Sequence, residues 1–196
     1  MYAKIYLPIG RIYKMDALDA IKTRRSHRKF ADQTVKRSLI EQVVASCRFA
    51  PSWKNTQTVR YHIIEDKDLL DNISKNCVRN FAFNGKTISR CAALVLVSSV
   101  ANISRHDSSE TSSSDLELHW SFFDAGIASQ TFCLAAHALG LASVILGIFD
   151  GEKITTLCSL PQDQSVMALI AIGYPIETEK TAPKRLEVDE ILTFIK

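Results

Sequence analysis

The sequence has no apolar run long enough to make a transmembrane helix. Its longest, "CAALVLVSSVA" (91–101) and "SVMALIAIGY" (165–174), stop well short of the roughly 20 residues that a span requires. No membrane partner is expected. The N-terminal "MYAKIYLPIGRIYKM" has Pro and Gly where a secretory signal would carry its apolar stretch, so no such signal is read there. Cysteine is sparse and unpatterned: five residues (47, 77, 91, 133 and 158), an odd number, with no CxxC. That argues against a disulfide framework or a zinc site and for reduced thiols in a cytoplasmic protein. The five histidines (27, 62, 106, 119 and 137) show no metal-ligand spacing. A strong charge of one sign is also lacking. The net charge is +3 and no tail concentrates it, so nothing demands a nucleic acid as partner. GxGxxG and GxxxxGK[ST] are both absent, which removes the dinucleotide fingerprint and the P-loop. There is no Ser/His/Asp or paired-carboxylate constellation either; Asp124 and Glu117 read as helix-surface or capping groups.

What is present is an ordinary globular chain of 196 residues, 46% hydrophobic and 23% charged, enough for one substantial core. Residues 1–14 join no periodic pattern and read as an extension before a natural start at Met15, with a single domain over 15–196. Asp16 suits the cap of a short helix bearing Leu18 and Ile21 on one face. Leu39, Ile40, Val43, Val44 and Cys47 form a stripe at helical spacing over about 37–48. "RYHIIE" (60–65) reads as a strand and 66–77 as a helix capped by Asp66. "ALVLVSS" (93–99) reads as a strand buried on both faces.

The Ser-rich segment 102–117 reads as a surface loop. A long helix follows over about 116–139, rich in Ala, Gly and Ser, with Gly140 to end it. Its small residues permit close approach by another helix or a flat ligand. Strands at 142–150 and 166–175, a short helix between them and a polar arm with an apolar tip complete the chain. The order fits one domain of layered helices and sheet. Strand–helix alternation is incomplete at the N-terminus, so a purely parallel sheet is not forced.

Two stretches carry the chemistry. "KTRRSHRK" (22–29) gathers Lys22, Arg24, Arg25, Arg28 and Lys29 around Ser26. It reads as a solvated basic turn, as a phosphate-monoester site built from guanidinium forks, or as a nucleic-acid contact. The last lacks the interleaved aromatics that stacking on single strands needs. "APSWKNTQ" (50–57) contains a helix stop at Pro51 and turn formers at Ser52 and Asn55. Those roles leave Trp53 and Gln57 unaccounted for.

"AIKTRRSHRKF" (20–30), "APSWKNTQ" (50–57), "DAGIASQTFCLAAHALGLAS" (124–143), "GIFD" (147–150), "IAIGYP" (170–175) and a late Arg before an acidic segment occur in one order. Together they resemble the nitroreductase family of FMN-dependent enzymes, over roughly residues 16–191. The resemblance implies an α+β fold, a central mostly antiparallel sheet flanked by helices, and an intertwined homodimer with FMN at the interface. It also implies a cofactor-binding set. Arg24, Arg25, Ser26 and Arg28 match the cluster on the FMN phosphate, ribityl chain and pyrimidine edge. Pro51, Ser52, Asn55 and Gln57 match the segment that reaches the neighbouring subunit's flavin. Asn84, in "FNGK", matches an Asn that hydrogen-bonds the ring, and Ile145, Leu146 and Gly147 match a strand end along it. Arg185, helped by Lys184, matches a late basic residue on the phosphate.

No side chain is then expected to carry the chemistry itself, because the flavin does. The implied activity is ping-pong reduction of nitroaromatics, quinones or similar acceptors, with NADH or NADPH as donor. A flavin store or sensor without turnover, and a flavin-dependent dehalogenase or flavin-degrading relative on the same fold, are the alternatives. The chain departs from the family at Gln57-Thr58-Val59, where Pro and an aromatic commonly follow the Gln. Trp53 is the other departure, read as either an interface anchor or a pocket wall.

Overall fold

Continuous apolar sequence at 93–99 forms the centre of the sheet. The computed structural model describes residues 15–101, 114–176 and 182–195, with the backbone alone for 114–117. The expected extension at 1–14 and the first part of the Ser-rich loop, 102–113, lie outside the described residues. Among these residues the order is α1 (Ala17–Thr23), α2 (Arg37–Cys47), a 3-10 turn (Trp53–Asn55), β1 (Val59–Ile64), α3 (Lys67–Asn76) and α4 (Ala82–Ile88). Then follow β2 (Ala93–Val100), α5 (Ser114–Ala138), β3 (Ala142–Leu146), α6 (Gly151–Leu157), β4 (Gln164–Gly173) and α7 (Val188–Ile191).

The four strands pair in the order β1-β2-β4-β3, and every pair is antiparallel. One parallel bridge, Ser26 to Ser143, adds the basic segment beyond the outer edge of β3. Side chains alternate across the sheet. Leu94, Leu96, Val144, Leu146 and Leu169 face α3, α4 and α6, where Ile73, Ile88 and Ile154 are fully buried. Val95, Val97, Ile170 and Ile172 face α2 and α5, meeting Val43, Phe132 and Ala136. Each such buried Val, Leu, Ile or Phe contributes about 1.5–3 kcal/mol. The predicted stripe on α2 is seen in full: Ile40, Val43 and Cys47 are buried, with Leu39 and Val44 packed beside them.

Local signals set the helix starts. Asp16, Asp66 and Asp150 each accept the N–H three residues on, at 2.8, 2.8 and 3.1 Å, satisfying donors that a helix start leaves open. Helix α5 stops at Ala138 and Gly140 takes φ 81°. Its small residues mostly turn inward: Ala125, Ala128, Ser129 and Ala136 are buried. They let the helix lie close on the sheet.

Three expectations are corrected. Helix α4 was not anticipated, because Asn and Gly sit inside it and Phe81 provides no side-chain cap; burial of Asn84, Thr87 and Ile88 holds it instead. The strand expected over 142–150 ends at Leu146, where pairing with β4 ends at Leu169. Helix α5 begins at Ser114, inside the segment read as a loop and two residues before its expected start near 116. Leu18 and Ile21 do share the exposed side of α1, but they meet solvent rather than core.

One close approach joins the basic segment to the sheet. Phe30 is bridged to Pro175 and lies over Gly173, where an added Cβ would fall 2.8 Å from the Phe30 Cβ. Gly173→Ala should therefore cost about 1–3 kcal/mol by overpacking. Thermal denaturation should show a midpoint at least ~2 °C lower; an unchanged midpoint would mean that Phe30 moves aside freely.

Candidate active site

The sequence-predicted residues gather into two groups. The first lies at the β3 edge. Just after α1, the Arg24–Phe30 segment runs beside β3, with Ser26 bridged to Ser143 and His27 N–H donating to the Ser143 carbonyl at 3.0 Å. Arg24, Arg25 and Arg28 are thereby held within five residues of chain. Arg28 is exposed and bonds no other described residue. Arg25 folds its Nη1 onto the carbonyls of Lys22 (2.7 Å) and Arg24 (2.9 Å). Its Nε is buried with no partner among the described residues.

The strand end lies next to this segment. Ile145, Gly147 and Ile148 are exposed, Leu146 is buried, and nothing stands over the Gly147 Cα. Asn84 is buried on α4 and donates its Nδ2 to the Ile148 carbonyl at 2.9 Å. The structure thus brings Asn84 to the strand end, with its amide nitrogen engaged by backbone.

Sequence reasoning missed His137, near the end of α5. Thr23 spends its hydroxyl proton on the Asp19 carbonyl at 2.6 Å, so its Oγ1 accepts from the His137 Nε2–H at 2.9 Å. Burial first, then the Arg24 and Arg25 guanidiniums, push this imidazole below its usual range. A neutral ring at that point adds no positive charge to the cluster and pins α1 to α5.

The second group lies at the opposite edge. Pro51, Ser52 and Gln57 line a cavity of about 360 Å³ bounded by Val59, Tyr61, Cys47, Arg48, Arg60, Asp124 and Ala128. Asn55 lies on the turn itself. Lys54, Asn55 and Gln57 take φ of 48°, 55° and 51°. Asn tolerates that region; Lys and Gln do so at roughly 1–2 kcal/mol each. Such a conformation persists only where its surroundings over-determine it.

Asp124 is one such restraint, and its helix-surface reading is corrected. It is buried, and its two carboxylate oxygens accept the Trp53 N–H at 3.0 and 3.1 Å. It is a cap, but for a turn 71 residues away rather than for its own helix. Burial raises its carboxyl above the usual range, opposed by the Trp53 N–H. The Trp53 ring stacks parallel to Trp120, with centroids 6.0 Å apart and planes at 7°, and Phe123 meets Trp120 edge-on. Lys54 Nζ sits 4.8 Å over Trp53. A signal existed in the sequence, since Trp120 and Asp124 share one helix face at i,i+4 spacing. Nothing local identified their partner.

The two groups do not meet within one chain. They flank opposite edges of the four-stranded sheet, three strand spacings or ~14 Å apart. Along α5, the Asp124 and His137 anchors are separated by ~20 Å of helix at 1.5 Å per residue. Lys184 and Arg185 join neither group; they are exposed, like every described residue from 182 to 195.

The pattern of the Nitroreductase family matches residues 21–174. The chain belongs to the nitroreductase family. A Methanothermobacter thermautotrophicus protein named for NADH dehydrogenase/NAD(P)H nitroreductase activity is 31% identical, over 92% of this chain and 91% of its own. The FMN reductase [NAD(P)H] of Bacillus subtilis is 25% identical over 86% of this chain and 70% of its own. The fold is shared with a Streptococcus pneumoniae nitroreductase family protein (TM-score 0.79, 19% identity, 90% of this chain and 98% of that one). It is also shared with an Exiguobacterium sibiricum nitroreductase-type protein crystallised with FMN (TM-score 0.77, 19% identity, 91% and 97%). The α+β nitroreductase fold expected from the sequence is therefore the fold observed.

If the left-handed turn is strained as its dihedrals indicate, Gln57→Gly should relieve it. The gain expected is about 0.5–1 kcal/mol after the added unfolded-state entropy of Gly. The thermal midpoint should rise by roughly 1–3 °C; a fall would show that the Gln57 conformation carries no strain.

Proposed function

We propose that two copies of this nitroreductase-family chain build two FMN sites, each combining the β3-edge group of one copy with the 51–57 group of the other. The chain is an FMN-dependent NAD(P)H oxidoreductase, and we assign nitroaromatics, quinones or similar planar acceptors as its substrates. The observation that carries this reading is the pairing of Ser26 with Ser143, which sets the backbone carrying Arg24, Arg25 and Arg28 alongside β3, the strand that leads to the exposed Ile145 and Ile148.

The residues fit the cofactor. Guanidinium forks suit a phosphate monoester, and the orphaned Arg25 Nε leaves a donor for an acceptor ligand to satisfy. Exposed Ile145 and Ile148, with open space over Gly147 between them, suit the face of a flat ring. When bound, FMN supplies the two-electron chemistry between NAD(P)H and the acceptor. The protein's share is position and charge. Arg24, Arg25 and Ser26 hold the phosphate and ribityl end, and exposed Arg28 places a cation where the ring gains negative charge on reduction. Ser52 and Asn55 of the other copy present polar groups from the opposite side. Lys184 and Arg185 add charge at the phosphate once the arm is docked.

Apolar exposure supports the two-copy arrangement. Leu18 and Ile21 on α1, Phe122 and Phe123 on α5, and Leu186, Val188, Ile191, Leu192, Phe194 and Ile195 on the arm all face solvent in the single chain. Such an apolar surface calls for cover.

The purified protein should be yellow, and anaerobic NADH or NADPH should bleach it. Colourless protein that FMN does not restore, or a flavin that neither nucleotide reduces, would overturn the reading. Arg28→Ala should weaken FMN binding about 10- to 100-fold, the worth of a charge-assisted contact, and slow flavin reduction. Unchanged flavin content and rate would remove Arg28 from the site.

A further inference from the structure

We propose that Asp124 is a positioning residue for the 51–57 group: by holding the Trp53 N–H it fixes the turn in the conformation that presents Ser52 and Asn55. The inference rests on the reading that this group meets FMN. The turn closes on itself through Asn55 N–H to the Ser52 carbonyl (3.0 Å), Thr56 N–H to the Trp53 carbonyl (2.9 Å) and Gln57 N–H to Ser52 Oγ (2.9 Å). These bonds set its shape without setting its place on the protein. Its far end is tied to β1 by Arg60 Nη1 donating to the Gln57 carbonyl at 2.7 Å. Its near end is held from α5, which grips residue 53 twice: Asp124 holds the backbone N–H, and Trp120, one helical turn earlier, stacks on the indole.

Among the described residues the Asp124 carboxylate makes no hydrogen bond other than those to the Trp53 N–H. Its residue is 3% exposed, and no cation pairs with it among the described residues. A carboxylate buried in that way is costly to a fold. An apolar residue would suit the helix better, whereas the turn needs an acceptor at that point. Both carboxylate oxygens reach one N–H, at the residue just before the left-handed stretch begins at Lys54. The side chain therefore serves the turn rather than the helix that carries it.

The test compares Asp124→Ala, Asp124→Leu and Asp124→Asn in the full chain. Two readouts are used: amide hydrogen exchange at Trp53 and the FMN dissociation constant from flavin fluorescence. Removing the acceptor, by Ala or by the shape-filling Leu, should speed Trp53 exchange at least tenfold and weaken FMN binding at least tenfold. It should not lower the thermal midpoint in proportion. Asn keeps an oxygen acceptor and should hold both quantities within about threefold. The proposal is overturned if Ala and Leu leave FMN affinity within twofold, or if Asn loses as much as they do. Asn55→Ala separates the two levels of the argument. If that variant also leaves FMN affinity unchanged, the assignment of the 51–57 group itself fails. If it weakens FMN while Asp124→Leu does not, the positioning role alone fails.

Discussion

Helix α5 is the member on which both halves of the proposed site depend. It lies across the sheet, packs through Ala125, Phe132, Cys133 and Ala136, and holds one half-site near each end. At its C-terminal end His137 accepts the weight of α1 through Thr23, just before the arginines. Thirteen residues earlier Asp124 receives the Trp53 turn. A helix is stiff, so the ~20 Å between those anchors is a fixed length. Small residues make this possible, because they allow a 25-residue helix to sit flat on four strands. Under the proposed function, the two halves of the site lie at opposite edges of the sheet within one chain. Completion by a second copy answers both the spacing and the exposed apolar surface of α1, α5 and the arm.

Stability is given up at the places where function is assigned. The 53–57 turn carries left-handed Lys and Gln where Gly would be more comfortable. Among the described residues, Asp124 is buried without a cation and the buried Arg25 Nε has no partner. Other parts of the fold follow ordinary rules: Asp caps on α1, α3 and α6, a β2 buried along nearly its whole length, and buried cysteines acting as small core residues. Burial pushes the Cys47 thiol to about 11 and Cys91 to about 12, so neither is a thiolate at neutral pH. Left-handed residues also occur at Arg79, Asn80 and Ser159, and the Thr58, Ser99, Ser129 and Ser143 hydroxyls are likewise buried without a partner among the described residues. What distinguishes the 53–57 turn is that its three left-handed residues gather in one short segment held by a buried carboxylate.

Much of this was legible from residue order. Periodicity located α2, β2, α5 and β4, and capping aspartates located the starts of α1 and α3. The elements that escaped lack a local signature. Helix α4 is held by what it packs against rather than by propensity, and the end of β3 depends on where β4 stops pairing. The candidate site was half legible. Arginines beside a Ser, and Pro-Ser-x-x-Asn after a helix, stand out in a linear chain. Asp124 and His137 do not, because their partners lie 71 and 114 residues away. Trp53, ambiguous in the sequence between interface and pocket, is found stacked on Trp120 at the rim of the 51–57 group. That position makes its backbone N–H as important as its ring.

The central claim is that each site takes one half from each of two chains, and mixed dimers test it most directly. Arg28→Ala and Asn55→Ala chains, each impaired alone, are combined and their mixing verified by mass. In a mixed dimer one site would contain both substitutions and the other neither, so close to half the activity of the unaltered dimer should return. Mixed dimers no more active than the two parents would contradict the account.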